Sequence, residues 1–443
     1  MSNSANTELP FHLQGNFAPV EEEVTAFDLT VEGSVPPELR GLYLRNGPNP
    51  REATNHWFVG EGMIHGVRLE EGRAAWFRNR WVRTRTFTDG ASFIDEEGTV
   101  DRSTGVANTN VIGHAGRIFA LVETSFPTEL SHELDTLAAH DFDGRLTSAM
   151  TAHPRVCPTT GEMHFFGYGF APPFLTYHRV DSGGKLVQSE VIEVPGPTMI
   201  HDFVITDSHV VFMDLPVVFS PELLAEGRMP YGWSDDYGAR LGVMPRGGTA
   251  ADVRWSEIEP CYVFHPFNAF EQDGVLVVDV ARYPELWREG PETFAAATLH
   301  RWSLDLSSGV VTEQALDDRP IEFPRVDERL CGLAHRFGYA VANASGLGED
   351  PSDLVKYDFR SGTRETHAFG AGRSPGEGVF VPASPGSGED EGWVLSYVYD
   401  AARNGSNLVI LDASRFEADP VATIQLPQRV PFGFHGNWIA DPR

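Results

Sequence analysis

Sixteen histidines are spread over 443 residues, and one of them sits where chemistry can be done. His265 lies in the stretch Cys261–Tyr283, CYVFHPFNAFEQDGVLVVDVARY, among Phe264, Phe267 and Phe270. A turn signal follows at Gln272, Asp273 and Gly274, and then an apolar run from Val275 to Val280 broken by Asp279. This predicts strand, turn, strand. A histidine in a buried strand is either bonded to a backbone carbonyl, the usual way to satisfy a buried polar group, or held by something else. The commoner catalytic motifs are missing. No glycine-rich phosphate loop follows a strand and opens a helix, and there is no HExxH pair and no GxSxG elbow. Cys157, Cys261 and Cys331 are odd in number and far apart, so neither a disulfide framework nor a cysteine zinc site is implied.

The surface chemistry excludes other classes. The net charge is -29 with an isoelectric point near 4.8, which repels nucleic acid and anionic membrane alike. Lysine occurs only at Lys185 and Lys356; every other basic residue is arginine. The first residues, MSNSANTELPFHLQG, lack an apolar signal core, and no apolar run approaches the roughly 20 residues a membrane span needs. The expectation is a soluble, cytoplasmic protein.

The elements that must position His265 are strands. Short apolar runs alternate with Gly, Pro, Asn and Asp turns at Arg117–Val122, His209–Met213, Val275–Val280, Trp393–Tyr399 and Leu408–Leu411. The last two are joined by the hairpin-like Asp400–Asn407. Pro284–Trp287 and Pro221–Glu226 are short enough segments to hold one helical turn each. With 44 glycines and 31 prolines, few windows could carry a long helix. Composition therefore predicts an all-β chain, with residues 1–13 as a disordered lead and residues 14–443 as a single domain. No strict repeat marks a propeller, and a large sandwich or barrel fits composition equally well.

A family becomes visible in a series of segments taken together. They are LQGNFAPVEEE (13–23), GSVPPELRGLYLRNGPNP (33–50), HWFVGEGMIHGVRL (56–69), ANTNVIGH (107–114) and TAHPRVCPTTGEMHFFGYG (151–169). They continue with MIHDFVITDSHVVFMDLPV (199–217), FHPFNAFE (264–271), EFPRVDER (322–329), GEGVFVP (376–382) and VPFGFHGNW (430–438). Spanning nearly the whole chain in order, they resemble the carotenoid cleavage oxygenases, a group that includes apocarotenoid and lignostilbene dioxygenases. The resemblance implies a seven-bladed β-propeller, with loops and short helices capping a non-haem Fe(II) held by four histidines. These map to His153, His201, His265 and His435. It also implies three supporting glutamates: Glu123 behind His201, Glu322 behind His265 and Glu377 behind His435, with no carboxylate behind His153. Imidazole suits Fe(II), and a metal-bound histidine usually passes its other N–H to a carboxylate or carbonyl. Thr109 matches a threonine that restricts small ligands near an open iron position. The other twelve histidines receive no metal role.

The implied reaction is cleavage of a C=C bond by O2 into two carbonyl products, with no reductant and no organic cofactor. Relatives that cut hydroxylated stilbenes carry a lysine directly before the first supporting glutamate; here that residue is Val122. The expected substrate is accordingly a carotenoid or apocarotenoid, whose conjugation activates the alkene without a base. A stilbene or phenylpropanoid alkene, such as resveratrol or isoeugenol, is the alternative. A non-oxygenative isomerase and a metal-free binding propeller are further readings; full occupancy of the histidine and glutamate positions argues against the second. Phe165, Phe166, Phe170, Phe174, Phe219 and Phe267 are candidate tunnel residues, with Phe166, Phe267 and Val122 taken as substrate contacts. The stretch 214–224, DLPVVFSPELL, is a candidate tunnel mouth for weak peripheral contact with a membrane, hydrophobic rather than electrostatic in origin.

Overall fold

The expected strand, turn, strand around His265 is a hairpin of Tyr262–Gln272 and Val275–Tyr283. Asp273 and Gly274 connect them with φ of 53° and 80°. Two consecutive positive φ angles are the signature of the tight turn whose twist matches paired strands. The structure is a computed structural model and describes residues 9–95, 97, 99–290, 295–342 and 352–441.

Among the described residues seven antiparallel sheets of four to six strands form a seven-bladed propeller, and an eighth, two-stranded sheet pairs Val217–Phe219 with Tyr231–Trp233. One edge strand of each blade lies innermost. In chain order these are β1 (Asn110–His114), β2 (Arg155–Val156), β3 (Phe203–Ile205), β4 (Tyr262–Gln272), β5 (Ile321–Arg325), β6 (Val379–Pro382) and β7 (Gly436–Ala440). The ring is closed by segments distant in sequence. Gly41–Pro48 pairs with β7, matching Gly41 to Ala440 and Arg45 to Gly436. Val31–Gly33 pairs with Ala422–Gln425 in the preceding sheet. Closure leaves few free strand edges, and it fixes the His435 segment against the chain's beginning.

Several local expectations are modified. Residues 1–8 of the expected lead lie outside the described residues, and the rest is ordered. Phe11–Leu13 form a 3-10 turn, Phe11 packs edge-on against Phe17, and His12 is buried near the Thr54 carbonyl. Pro221–Ala225 is a short helix capped by Ser220, whose hydroxyl accepts from Leu223 N–H. Pro284–Trp287 is not a helix; the chain bends there and Trp287 takes a φ of 57°. Asp279, which breaks an apolar run in sequence, is fully buried and opposite Arg301 in the ladder; the two form a bidentate pair at 2.7 and 2.8 Å. No helix among the described residues is long and apolar enough to cross a membrane.

Candidate metal centre

The innermost strands bring one end of each blade to a common axis, and the residues at that end form the site. His153 stands two residues before β2, His201 two before β3, His265 inside β4, and His435 immediately before β7. β4 is bulged on either side of Pro266, and a bulge re-aims a side chain at the cost of ladder pairing. The result is one cluster in which a ring nitrogen from each of His153, His201, His265 and His435 lies within 4.8 Å of all the others. Nε2 of His201 is 3.0 Å from Nε2 of His153 and 3.2 Å from Nε2 of His265.

The opposite ring nitrogens explain why these atoms face one another. His265 Nδ1–H donates to Glu322 Oε2 at 2.6 Å, and His435 Nδ1–H donates to Glu377 Oε1 at 3.0 Å. His201 Nδ1 contacts Glu123 Oε1. With Nδ1 carrying the proton, Nε2 presents a lone pair. Lone pairs this close repel unless a cation sits between them. Two nitrogens bound at right angles to one ion at roughly 2.1 Å stand about 3.0 Å apart, so the spacing fits a shared metal. His153 differs. Its nearest carboxylate oxygen is Asp202 Oδ2 at 3.7 Å, and Asp202 is committed to Arg155 at 2.5 Å.

Each glutamate has further partners. Glu322 also accepts from Tyr283 O–H at 2.8 Å and from Phe323 N–H at 2.6 Å. The second contact needs a sharp local bend; Phe323 takes a φ of 52° and lies within an irregularity of β5. Glu377, in the sequence Gly-Glu-Gly, is buried and not in an exposed turn. It accepts from Gly436 N–H at 2.8 Å and pairs with Arg325 at 3.2 Å. Glu123 accepts from Tyr168 O–H. Burial opposes ionisation of Glu377, but Arg325 and His435 outweigh it and hold the carboxyl down at about 2. Burial lowers His153 far below the ordinary imidazole value, and the three neighbouring rings add to this. Burial also lowers His435 to about 4, although Glu377 opposes the shift.

The cluster lies between two cavities. An apolar cavity of about 240 Å³ touches His201, His265 and His435. Trp57, Phe58, Met229, Phe264, Phe323 and Phe434 wall it, and Thr109 and Val122 line it too. Tyr168 and Tyr231 supply hydroxyl-bearing rings there. On the other side, a wider cavity of about 590 Å³, with more polar groups in its lining, reaches His153, His265 and His435 past Arg155, Asp202, Arg325 and Asn437. Thr109 bonds its hydroxyl to Asn108 Oδ1 at 3.0 Å, and its carbonyl accepts from His435 N–H at 3.1 Å.

Two expected substrate contacts lie elsewhere. Phe166 is fully buried against Phe203 in the core between blades. Phe267 packs on Tyr357 and Phe359, because the irregular β4 backbone turns it away from the axis. The aromatic residues that do line the apolar cavity were missed, although Phe264, Phe323 and Phe434 each adjoin a site residue in sequence. That adjacency was the available signal. Neither lysine replaces the missing one beside Glu123. Lys356 is buried against Asp390 and the Ala413 carbonyl, and Lys185 sits in a turn, its backbone N–H donating to Asp181.

The family model described as retinal pigment epithelial membrane protein matches residues 17–440. A carotenoid cleavage oxygenase of Mycobacterium tuberculosis is 40% identical, over 99% of this chain and 99% of that one. The crystal structure of Pseudomonas brassicacearum lignostilbene dioxygenase superposes with a TM-score of 0.89 at 29% identity, covering 98% of this chain and 100% of that chain. Cobalt-substituted Synechocystis apocarotenoid oxygenase superposes with a TM-score of 0.85 at 27% identity, covering 96% and 97%.

Proposed function

The chain belongs to the carotenoid cleavage oxygenase family and is an oxygenase that cleaves C=C bonds; from that premise we propose that it is a non-haem Fe(II) dioxygenase acting on a carotenoid or apocarotenoid. The observation that carries the metal is the convergence of four imidazole Nε2 atoms whose Nδ1 sides are, in three cases, held by carboxylates. Fe(II) bound to His153, His201, His265 and His435 would supply the electron density that activates O2. The protein does the rest. Glu123, Glu322 and Glu377 fix the tautomer and aim of three rings. The apolar cavity holds the alkene beside the histidines and excludes water, while Thr109 narrows the space left for small ligands. One O2 and one C=C bond give two C=O groups, so no reductant enters and no proton is consumed.

Val122 supports the polyene reading, since among the described residues no lysine or arginine lines the apolar cavity to stabilise a phenolate. The second reading, a stilbene or phenylpropanoid alkene, is favoured by the hydroxyls of Tyr168 and Tyr231, which offer a phenol partners in the same cavity. At the side of the cavity, Phe219 packs on Tyr231 and stacks with Phe170, which is 43% exposed, and Leu224 nearby in sequence is 54% exposed. This apolar patch suits weak hydrophobic contact with a membrane carrying the substrate.

The test is metal content followed by O2-dependent turnover of an apocarotenal, resveratrol and isoeugenol, with 18O2 as the label. One iron per chain and label in both carbonyl products of the apocarotenal is the expected result. Cleavage of the phenolic substrates alone would replace the substrate class, and absence of iron after anaerobic loading would remove the dioxygenase reading.

A further inference from the structure

We propose that Arg325 is a positioning residue that biases the metal of the four-histidine site toward its divalent state. The proposal rests on the reading of that site as an iron centre and goes on to its regulation. Charge is the starting point. Four neutral imidazoles leave a bound dication uncompensated, and the compensation comes from Glu123, Glu322 and Glu377. Three carboxylates exceed a dication by one negative charge and match a trication. Unmodified, such a surround rewards loss of an electron from the metal, and the trivalent ion is the wrong one for activating O2.

The three carboxylates are not capped alike. Glu123 and Glu322 take their outer hydrogen bonds from neutral tyrosine hydroxyls, Tyr168 and Tyr283. Glu377 instead faces a guanidinium. Arg325 Nη1 is 3.2 Å from Glu377 Oε2 and also donates to the Gly436 carbonyl at 2.9 Å. Arg325 Nη2 donates to Asn437 Oδ1 at 2.6 Å and to Glu328 Oε1 at 2.8 Å. Glu328 is 57% exposed, so solvent screens it, whereas Glu377 is buried with the metal ligands. A second cation stands on the same flank. Arg45 is buried, its Nε has no hydrogen-bond partner, and its Nη1 lies 3.0 Å from where a side chain on Gly376 would begin. The Arg155 guanidinium, by contrast, is paired with buried Asp202. Positive charge therefore gathers behind His435 and opposes a third positive charge on the metal, because interactions between buried charges are weakly screened.

Geometry and charge make opposite predictions for Arg325→Met. If Arg325 only held Glu377 in place, its loss would loosen His435 and weaken every divalent ion, Co(II) included, by about 10- to 100-fold. If it acts through its charge, Co(II) binding is kept or tightened. Oxidation of bound Fe(II) in air, one electron passing to O2 to give superoxide, then accelerates by about tenfold or more, as a buried unit charge within hydrogen-bond range of an orienting carboxylate implies.

The experiment loads apo protein anaerobically with Fe(II) or Co(II), measures Co(II) affinity against a competing chelator, and follows the ferric electron paramagnetic resonance signal after air is admitted. Wild type, Arg325→Met and Arg325→Lys are compared. Faster ferric appearance in Arg325→Met, restored by Arg325→Lys and with Co(II) affinity kept, is expected. Weakened Co(II) binding with an unchanged oxidation rate would overturn the proposal. Wild-type protein that takes up neither ion would overturn the metal reading itself. Should Arg325→Met not fold, Glu328→Lys, at an exposed position, adds positive charge beside Arg325. Slower oxidation there supports the proposal, and an unchanged or faster rate overturns it.

Discussion

Replacing Glu322 with glutamine changes charge and almost nothing else. The side chain is 1% exposed and accepts three hydrogen bonds, from His265 Nδ1–H, Phe323 N–H and Tyr283 O–H. Two of them fall on Oε2, so the amide oxygen can keep both. The amide NH2 then faces Tyr283, whose hydroxyl can turn to accept. The volume is conserved, and the hydrogen-bonding loss is confined to the buried Tyr283 hydroxyl, whose proton gives up its carboxylate acceptor. What is lost is charge assistance, which makes such bonds roughly twice as strong as neutral ones. For the His265 bond alone that is about 1–1.5 kcal/mol, or about tenfold in metal affinity. Loss of a buried negative charge near a dication adds to this, and the expected range is about 10- to 100-fold weaker binding. Glu322→Ala should cost more, since it strands the Tyr283 hydroxyl and the His265 N–H; each orphaned group costs about 1–3 kcal/mol. The assay is anaerobic Co(II) titration against a chelator, with the apo proteins compared by thermal unfolding. A glutamine variant that binds Co(II) as tightly as wild type would refute the role given to the carboxylate.

Other expectations follow from the same geometry. His435→Ala should lose stoichiometric metal by elemental analysis. His209→Ala, which breaks a pair with Glu271 away from the cluster, should keep it. Val122→Lys places an ammonium on the cavity wall beside Glu123, and resveratrol cleavage should appear or rise at least severalfold while apocarotenal cleavage falls; the two product aldehydes report this by chromatography. His65, His164 and His178 are held neutral by burial, each with a pKa lowered to about 3. The unfolded chain binds these protons below about pH 6.5 and the folded chain does not, so stability falls as pH drops from about 6.5 toward 3. The loss is up to about 1.4 kcal/mol per pH unit for each ring. Urea midpoints of the apo protein at pH 7 and pH 5 measure it, and equal midpoints would refute the burial argument.

The fold and the site were legible to different depths. The hairpin around His265 was readable because Asp273 and Gly274 are the residues that tolerate the two positive φ angles its turn requires. Pro284–Trp287 was misread because composition does not report the bend at Trp287. Asp279 looked like an interruption of its strand, since its reason is Arg301 on the neighbouring strand, an across-ladder partner that no local window contains. The blade count could not come from periodicity, as no repeat is present in the residues; it rested on resemblance alone.

The four histidines show why spacing failed where topology succeeds. In a helical metal site, ligands recur within a turn or two, and the interval itself is evidence. Here each histidine comes from a different blade, at or near the start of an innermost strand. The interval between the clustered histidines is then the length of one or more blades plus their loops, which carries no coordination chemistry. The informative signal is positional instead: His153-Pro-Arg, His201-Asp-Phe and His435-Gly-Asn each lead directly into an inner strand. The same logic separates Phe264, Phe323 and Phe434 from Phe166 and Phe267. The first three adjoin residues that the axis gathers, so they reach the cavity. Phe166 sits in the second strand of its blade, Met163–Tyr168, one strand out from β2, where an alternating side chain packs between blades. Phe267, although in an inner strand, follows the bulge that aims His265 inward, and it is carried to the opposite face. Nearness to the axial end of a blade, rather than aromatic character, separates the two groups, and Tyr168, two residues beyond Phe166 on the same strand, reaches the cavity for that reason.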